Sequence, residues 1–262
     1  MDRLVNKVAV IYGSGGVGAT VAKVFAAEGA KVYLVGRNQE KVNGIADSVK
    51  GPGTIVPAIL DALDENAVEL HLKRVIKESG KIDVSFNAIG LPQTGHQGTA
   101  FVELSVENFL KPISIYSQSH FITARAAANH MVRQGNGLIL MNTPSPSRIS
   151  VPFMGGMPSA WSSVEALSRT ISAECGAKGV RSVCILTSAM PDTPLIDEVY
   201  TLHANAHGID YNQFHAVMES KTHTKRLTSI LDLAKAAVYL ASDDGVAITG
   251  TILNLTSGIV VN

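Results

Sequence analysis

Two side chains that can transfer protons lie four residues apart within one segment of the chain. Tyr116 and His120 fall in a stretch whose apolar periodicity predicts a helix over Val106–Arg133, which places both on one helical face. A phenol beside an imidazole can act as a general acid and its tuner. The alternative is that Tyr116 fills interior space and that His120 lies at a subunit interface.

A second segment has the glycine spacing that allows a backbone to approach phosphate groups. It reads Gly13-Ser14-Gly15-Gly16-Val17-Gly18, which fits G-x-G-x-x-G. The motif follows a predicted strand and opens a predicted helix, whose free N–H groups and positive dipole end favour a pyrophosphate. The sequence therefore predicts dinucleotide binding; a tight strand–helix turn without a ligand is the alternative.

The residues after the second predicted strand indicate which dinucleotide would bind. An acidic side chain at this position would hold a ribose 2′-hydroxyl, but the sequence has Gly36 followed by Arg37 and Asn38. Arg37 can pair with a 2′-phosphate. We therefore expect NADP(H) rather than NAD(H), with contacts from Arg37 and Asn38; the alternative is a solvated arginine at a strand end.

The elements that would position these residues alternate between short apolar runs and longer helical patterns. This alternation predicts a single α/β domain over residues 1–262, of the Rossmann type, with a doubly wound parallel sheet of about seven strands and helices on both faces. The predicted strands are Val8–Tyr12, Val32–Val35, Ile55–Ile59, Ile82–Phe86, Leu138–Met141, Ser182–Leu186 and Ile252–Leu255. The predicted helices are Val17–Glu28, Glu40–Val49, Glu65–Ser79, Val106–Arg133, Ser159–Ala177 and Leu231–Ala241.

One segment, at about 191–226, breaks the alternation. It is polar and contains His203, His207, His215 and His223. A long excursion of this kind in a compact domain is usually a lid or a binding loop. The histidines have no accompanying carboxylate–histidine motif, so we expect no metal site.

Composition excludes several classes of partner. The 22 basic and 22 acidic residues give a net charge of zero, which leaves no electrostatic footprint for nucleic acid or an anionic membrane. No apolar run is long enough to span a bilayer. The N-terminal residues lack the apolar stretch of a signal peptide, and the only cysteines are Cys175 and Cys184. We expect a cytoplasmic protein with reduced thiols.

Further motifs make nearly the whole chain resemble the short-chain dehydrogenase/reductase family. The glycine loop resembles the family's T-G-x-x-x-G-x-G, although Tyr12 replaces the threonine and the loop is one residue shorter. Asn87-Ala88-Ile89-Gly90 is similar to the family's N-N-A-G, with the second asparagine lost. The resemblance implies that Asp61 contacts the adenine and that Asn87 and Gly90 border the cofactor. Ile248-Thr249-Gly250, followed by Asn254 and Gly258, resembles the family's last-strand region.

The resemblance also implies four catalytic positions, and all four are substituted. The family uses a tyrosine, a lysine four residues later, a serine and a helical asparagine. The stretch Val164–Arg169 resembles the residues after that lysine, so the register puts Met157 at the tyrosine position and Trp161 at the lysine position. Pro144 then takes the serine position and Tyr116 the asparagine position. No Tyr-x-x-x-Lys occurs anywhere in the chain.

Two classes of function follow. In the first, the chain is an oxidoreductase homologue with a rebuilt site that reduces an unknown carbonyl, imine or enone, with Tyr116 as the substitute acid. In the second, it is a catalytically inactive dinucleotide-binding sensor or partner subunit. Other stand-ins are Ser145, Ser147 and Glu165, and substrate contacts from Gln93, Thr94 and His96, all of which could equally be ordinary loop or surface polar residues. Family oligomers pack helices near 105–133 and 157–177, so the resemblance implies a homodimer or homotetramer.

Overall fold

A seven-stranded parallel sheet forms the centre of the protein, in the order β3-β2-β1-β4-β5-β6-β7. The structure is a computed structural model that describes residues 2–261, so the predicted domain extends one residue further at each end. The strands are β1 (Val8–Tyr12), β2 (Lys31–Gly36), β3 (Thr54–Ile59), β4 (Val84–Asn87), β5 (Gly137–Pro144), β6 (Val180–Thr187) and β7 (Ile252–Leu255). The predicted doubly wound parallel fold is confirmed.

Helices cover both faces of the sheet. One core layer packs α1 (Gly16–Ala27), α2 (Gln39–Asp47) and α8 (Ile230–Ala241) against the sheet. The other packs α3 (Glu65–Ser79), α4 (Val106–Gln134) and α5 (Met157–Cys175). Burial on both faces explains the continuous apolar sequence of β1, in which every residue is buried.

The sheet positions the glycine segment at a topological switch point. β1 pairs with β2 on one side and with β4 on the other, and the register aligns Tyr12 with Val35 and with Asn87. The connections after β1 and β4 therefore leave the same edge of the sheet in opposite directions. A crevice at such a reversal is where open α/β sheets bind ligands.

The segment at about 191–226 is more ordered than its polar composition indicates. It contains two helices, α6 (Ile196–His207) and α7 (Tyr211–Ser220), that the sequence analysis did not predict. A small apolar cluster of its own holds them together, formed by Ile196, Tyr200, Ala204, Phe214 and Leu227. We call residues 191–226 the lid, and it is a helical hairpin rather than an irregular polar loop.

Candidate active site

The glycine segment forms a turn that only glycine can make at two positions. Gly13 has φ +105°, and a Cβ there would lie 2.5 Å from the carbonyl oxygen of Ala88. A Cβ on Gly18 would lie 1.9 Å from the carbonyl oxygen of Gly13. Gly15 is the N-cap of α1 and has no side chain to cover the first-turn N–H groups. These groups are left open to an anion.

The glycine segment borders a cleft of about 880 Å³. Gly13, Ser14, Gly15, Gly16 and Val17 line it, whereas Gly18 lies behind the turn and packs against the backbone. A Cβ on Gly16 would lie 3.0 Å from Cδ of Pro194, so the start of the lid already touches the glycine segment.

Two cations border the end of the cleft beyond β2. Arg37 is 76% exposed, and its Nη1 lies 3.6 Å from Oδ2 of Asp61, which also lines the cleft. Lys41, which the sequence analysis did not single out, lines the same end from the first turn of α2. A Cβ on Gly36 would lie 2.7 Å from both Ser14 Oγ and Val42 Cγ2, so this position has no room for an acidic side chain.

Asn38 caps a helix, whereas a cofactor contact was predicted for it. Its Oδ1 accepts a hydrogen bond of 2.9 Å from the backbone N–H of Lys41, which makes it the N-cap of α2. It is not among the residues that line the cleft. The local pattern of an asparagine before a helix is the signal that indicates this role.

Asn87 and Gly90 line the cleft beside the glycine segment. Asn87 Nδ2 donates to Thr123 Oγ1 at 3.1 Å, and its Oδ1 accepts from the N–H of Ile89 at 3.0 Å. These bonds fix the turn that leaves β4. A Cβ on Gly90 would meet no atom within 4 Å, so sterics alone do not require glycine there.

The four positions that the family resemblance assigns to catalysis line the same cleft as the glycine segment. Pro144 ends β5, Met157 begins α5, Trp161 lies one turn later, and Tyr116 faces them from α4. Met157 is fully buried, while Trp161 and Tyr116 are 5% and 8% exposed. Neither methionine nor proline offers a proton, so among these four side chains the titratable group is the phenol of Tyr116.

Burial and Trp161 act on the phenol of Tyr116 in opposite directions. Burial raises the pKa of Tyr116 to about 12, and the indole N–H of Trp161, which can only donate, opposes this rise. The phenol therefore stays protonated at neutral pH, and its own O–H remains available as a donor.

His120 is not the partner of the Tyr116 phenol, which corrects the expectation of a Tyr–His pair. Its Nδ1 lies 2.9 Å from the backbone carbonyl oxygen of Tyr116, one helical turn earlier. Burial lowers the pKa of His120 to about 4. The ring is therefore neutral at pH 7 and supports the helix rather than the phenol.

Glu165 is buried rather than a surface residue of α5. Its carboxylate accepts hydrogen bonds from Thr143 Oγ1 at 3.1 Å, from Ser147 Oγ, and from Arg148 Nε at 2.6 Å. These three bonds tie the carboxylate to β5 and to the turn after it. This arrangement holds the wall that carries Pro144 and Trp161. Of Ser145 and Ser147, it is Ser145 that lines the cleft.

The lid is tied to the connection that follows β4. Oε1 of Glu198 on α6 accepts from the N–H groups of Gln93 and Thr94 at 2.9 and 2.7 Å and from Thr94 Oγ1 at 2.7 Å. Burial raises the pKa of Glu198, but these hydrogen bonds outweigh it and hold the pKa below its ordinary value. The tether is therefore charged at neutral pH, and His96 lines the cleft beside it.

Part of the cleft is lined by apolar side chains, and we call this part the apolar chamber. The walls come from the β5–α5 connection and from both lid helices, and include Ile149, Val151, Met154, Val199, Phe214 and Met218.

No group of three or more His, Cys, Asp or Glu side chains that could hold a metal ion occurs among residues 2–261. Within the same range, none of the helices is both long and apolar enough to cross a bilayer.

Comparison with known proteins agrees with this geometry. A family model described as "Enoyl-(Acyl carrier protein) reductase" matches residues 12–259. An uncharacterized oxidoreductase of Bacillus subtilis (strain 168) is 29% identical over 99% of this chain and 93% of its own. D-beta-hydroxybutyrate dehydrogenase of Rhizobium meliloti (strain 1021) is 28% identical over 97% of this chain and 98% of its own.

Solved structures show the same fold. NAD+-bound xylitol dehydrogenase has a TM-score of 0.89 and 22% identity over 97% of this chain and 99% of its own. Levodione reductase has a TM-score of 0.88 and 23% identity over 97% of each chain. A parallel sheet with a glycine turn at its switch point defines a dinucleotide-binding Rossmann protein. The chain belongs to the short-chain dehydrogenase/reductase family.

Proposed function

We propose that this chain is an NADPH-dependent reductase of a carbonyl, imine or enone, with Tyr116 in place of the family's tyrosine–lysine couple. The observation that carries the proposal is that one continuous cleft joins the glycine turn to the Tyr116–Trp161 pair and to the apolar chamber. Large apolar clefts with a few polar groups are the usual form of a small-molecule site.

The residues present fit a phosphorylated nicotinamide dinucleotide. The cradle at Gly13 and Gly18 admits no Cβ, and the α1 N-terminus has uncovered N–H groups for the pyrophosphate. Arg37 and Lys41 supply charge for a 2′-phosphate, while the space beyond Gly36 is filled by Ser14 and Val42. When bound, the cofactor supplies a hydride. NAD(H) remains the less favoured cofactor.

Tyr116 then acts as the hydrogen-bond donor to the substrate oxygen or nitrogen. Tyr116 lines the cleft and its phenol is protonated, so its O–H can polarise the group being reduced and supply the proton that the product oxygen or nitrogen takes up. With a pKa of about 12 the phenol donates a hydrogen bond without being ionised beforehand. The site has no ammonium partner at position 161 to lower that pKa, so we expect turnover slower than that of a tyrosine–lysine site.

A second candidate is a catalytically inactive dinucleotide-binding sensor or partner subunit. It is favoured by Met157 and Trp161, which leave no phenol–ammonium couple at the positions that the family resemblance assigns. Two measurements separate the candidates: fluorescence titration with NADPH and NADH, and NADPH oxidation against a panel of carbonyls, imines and enones. Turnover of any panel member supports the reductase, and tight NADPH binding without turnover supports the sensor.

We also propose a homodimer or homotetramer that associates through α4. Val106, Leu110 and Phe121 on this helix are 74%, 50% and 47% exposed, which is unusual for large apolar side chains on one element. Light scattering after size exclusion should give a mass of two or four chains. Leu110→Lys together with Phe121→Lys should reduce it, and a wild-type monomer would contradict the proposal.

A further inference from the structure

Three buried polar side chains form a hydrogen-bonded chain from the β4 connection into the lid. Gln93 donates its side-chain N–H to the carbonyl oxygen of Leu91, and Gln97 donates to Oε1 of Gln93. Nε2 of His203, on α6, lies 2.8 Å from Oε1 of Gln97. Gln93, Gln97 and His203 are each 2–3% exposed.

The backbone carbonyl of Leu91 fixes the direction of every hydrogen bond in this series. A backbone carbonyl can only accept, so Gln93 must present its NH₂ to Leu91 and its oxygen to Gln97. Gln97 must then donate to Gln93 and present its own oxygen to His203. Turning either amide around would place two oxygens, or two N–H groups, face to face. His203 therefore carries its proton on Nε2.

It follows that Nδ1 of His203 is a bare acceptor. It is buried and has no hydrogen-bond partner among the residues that the structure describes. Burial, with a contribution from His207 and Lys221, lowers the pKa of His203 to about 4, so the ring is neutral at pH 7. A buried acceptor without a partner is unfavourable, and such an atom needs a reason.

An unpartnered donor belongs to the same helical face. Tyr200 precedes His203 by three residues on α6, and its buried hydroxyl also has no partner among residues 2–261. Both rings pack on Phe214, with centroid distances of 5.2 Å for Tyr200 and 5.5 Å for His203. Both residues line the apolar chamber of the cleft.

We propose that Tyr200 and His203 recognise a hydroxyl group on an otherwise apolar substrate. The substrate O–H donates to Nδ1 of His203, and its oxygen accepts from the hydroxyl of Tyr200. A ketone, ether or ester at this place can satisfy only Tyr200 and leaves Nδ1 unpaired. The inference rests on the proposed function, because it assigns a substrate class to the same cleft. Both atoms are shielded from solvent, so the hydroxyl must displace neighbouring lid side chains on entry.

The test uses full-length protein and alkan-2-ones of increasing chain length that carry a terminal hydroxyl, each paired with its methyl ether. Affinities are measured by protein-observed NMR with and without saturating NADPH. At one or more chain lengths the alcohol should bind about tenfold more tightly than the ether. Equal affinity at every length would overturn the proposal.

Two variants with the same substitution separate recognition from packing. His203→Phe keeps a ring against Phe214 and should remove the preference for the alcohol. His207 also stacks on Phe214, with a centroid distance of 6.0 Å, but is exposed and outside the hydrogen-bonded chain. His207→Phe should therefore keep the preference. Loss of the preference in both variants would indicate a packing effect and count against the proposal.

The tautomer of His203 is a direct test of the hydrogen-bond directions. Nitrogen-15 NMR of His203 in the wild type should show the proton on Nε2; a proton on Nδ1 would refute the argument. The tautomer is read without cofactor, so failure to bind NADPH would remove the proposed function and leave this result standing.

Discussion

Trp161 on α5 and Tyr116 on α4 line the same cleft, and the indole N–H of Trp161 opposes the rise that burial causes in the pKa of Tyr116. A tryptophan cannot supply the positive charge of a lysine, so the pKa of the phenol stays at about 12. The phenol of Tyr116 is therefore a neutral donor in the cleft.

Removing the phenol tests this role most directly. Tyr116→Phe should lower kcat for the best panel substrate by about 10²-fold with little change in KM, because a donor that matters in the transition state is lost. Trp161→Phe, which keeps a ring but removes the N–H, should lower kcat by about tenfold. Tyr239→Phe on α8, at an exposed tyrosine outside the cleft, is the control. Unchanged turnover in Tyr116→Phe would show that the proton comes from elsewhere.

The proposed preference for NADP(H) predicts an effect of substituting Arg37. Arg37→Ala should weaken NADPH binding by about 10- to 100-fold and leave NADH binding nearly unchanged, because the guanidinium pairs only with the 2′-phosphate. Fluorescence titration with both cofactors measures the ratio. Arg169→Ala, at an exposed arginine outside the cleft, serves as the matched control. An equal loss for both cofactors would contradict a phosphate contact.

We expect alanine to have opposite effects at two glycine positions. Gly18→Ala forces a Cβ to 1.9 Å from the carbonyl oxygen of Gly13, so it should abolish dinucleotide binding and lower the free energy of unfolding by about 3 kcal/mol. Gly44 lies inside α2 with no atom within 4 Å of its Cβ position. Gly44→Ala should stabilise the protein by about 0.5–1 kcal/mol. Urea denaturation measures both, and a destabilised Gly44→Ala would refute the comparison.

Three buried histidines make stability depend on pH. Burial lowers the pKa values of His71, His120 and His203 to about 4 each, below the unfolded value of about 6.5. Between these limits the unfolded chain binds more protons, so the free energy of unfolding should fall as pH decreases from about 6.5 towards 4. Each histidine contributes about 1.4 kcal/mol per pH unit.

Urea denaturation across this pH range measures the slope. His71→Phe should reduce this slope by the contribution of one proton. His223→Phe, at an exposed position, controls for the substitution itself. A stability that is flat from pH 6.5 to 4 would contradict the burial of these rings as neutral groups.

Local signals in the sequence were enough for the sheet and for the glycine turn. These signals are apolar runs of strand length, helical periodicity and closely spaced glycines. Each is a pattern among neighbouring residues, so it can be recognised in the sequence alone. The lid helices were missed, and α7 offered little apolar periodicity because it buries only Phe214. The capping box of Asp210 and Gln213 was the one local signal that could have indicated α7.

The sequence by itself determined that a parallel α/β sheet forms, that its first turn can approach phosphate, and that no Tyr-x-x-x-Lys is present. Only the tertiary structure decided that Trp161 rather than His120 lowers the pKa of the Tyr116 phenol, that Asn38 caps a helix, and that Gln97 meets His203, 106 residues away. The physical reason is that a hydrogen bond between distant segments depends on the separation of two backbones. That separation is set by how the helices pack on the sheet, which no local pattern contains.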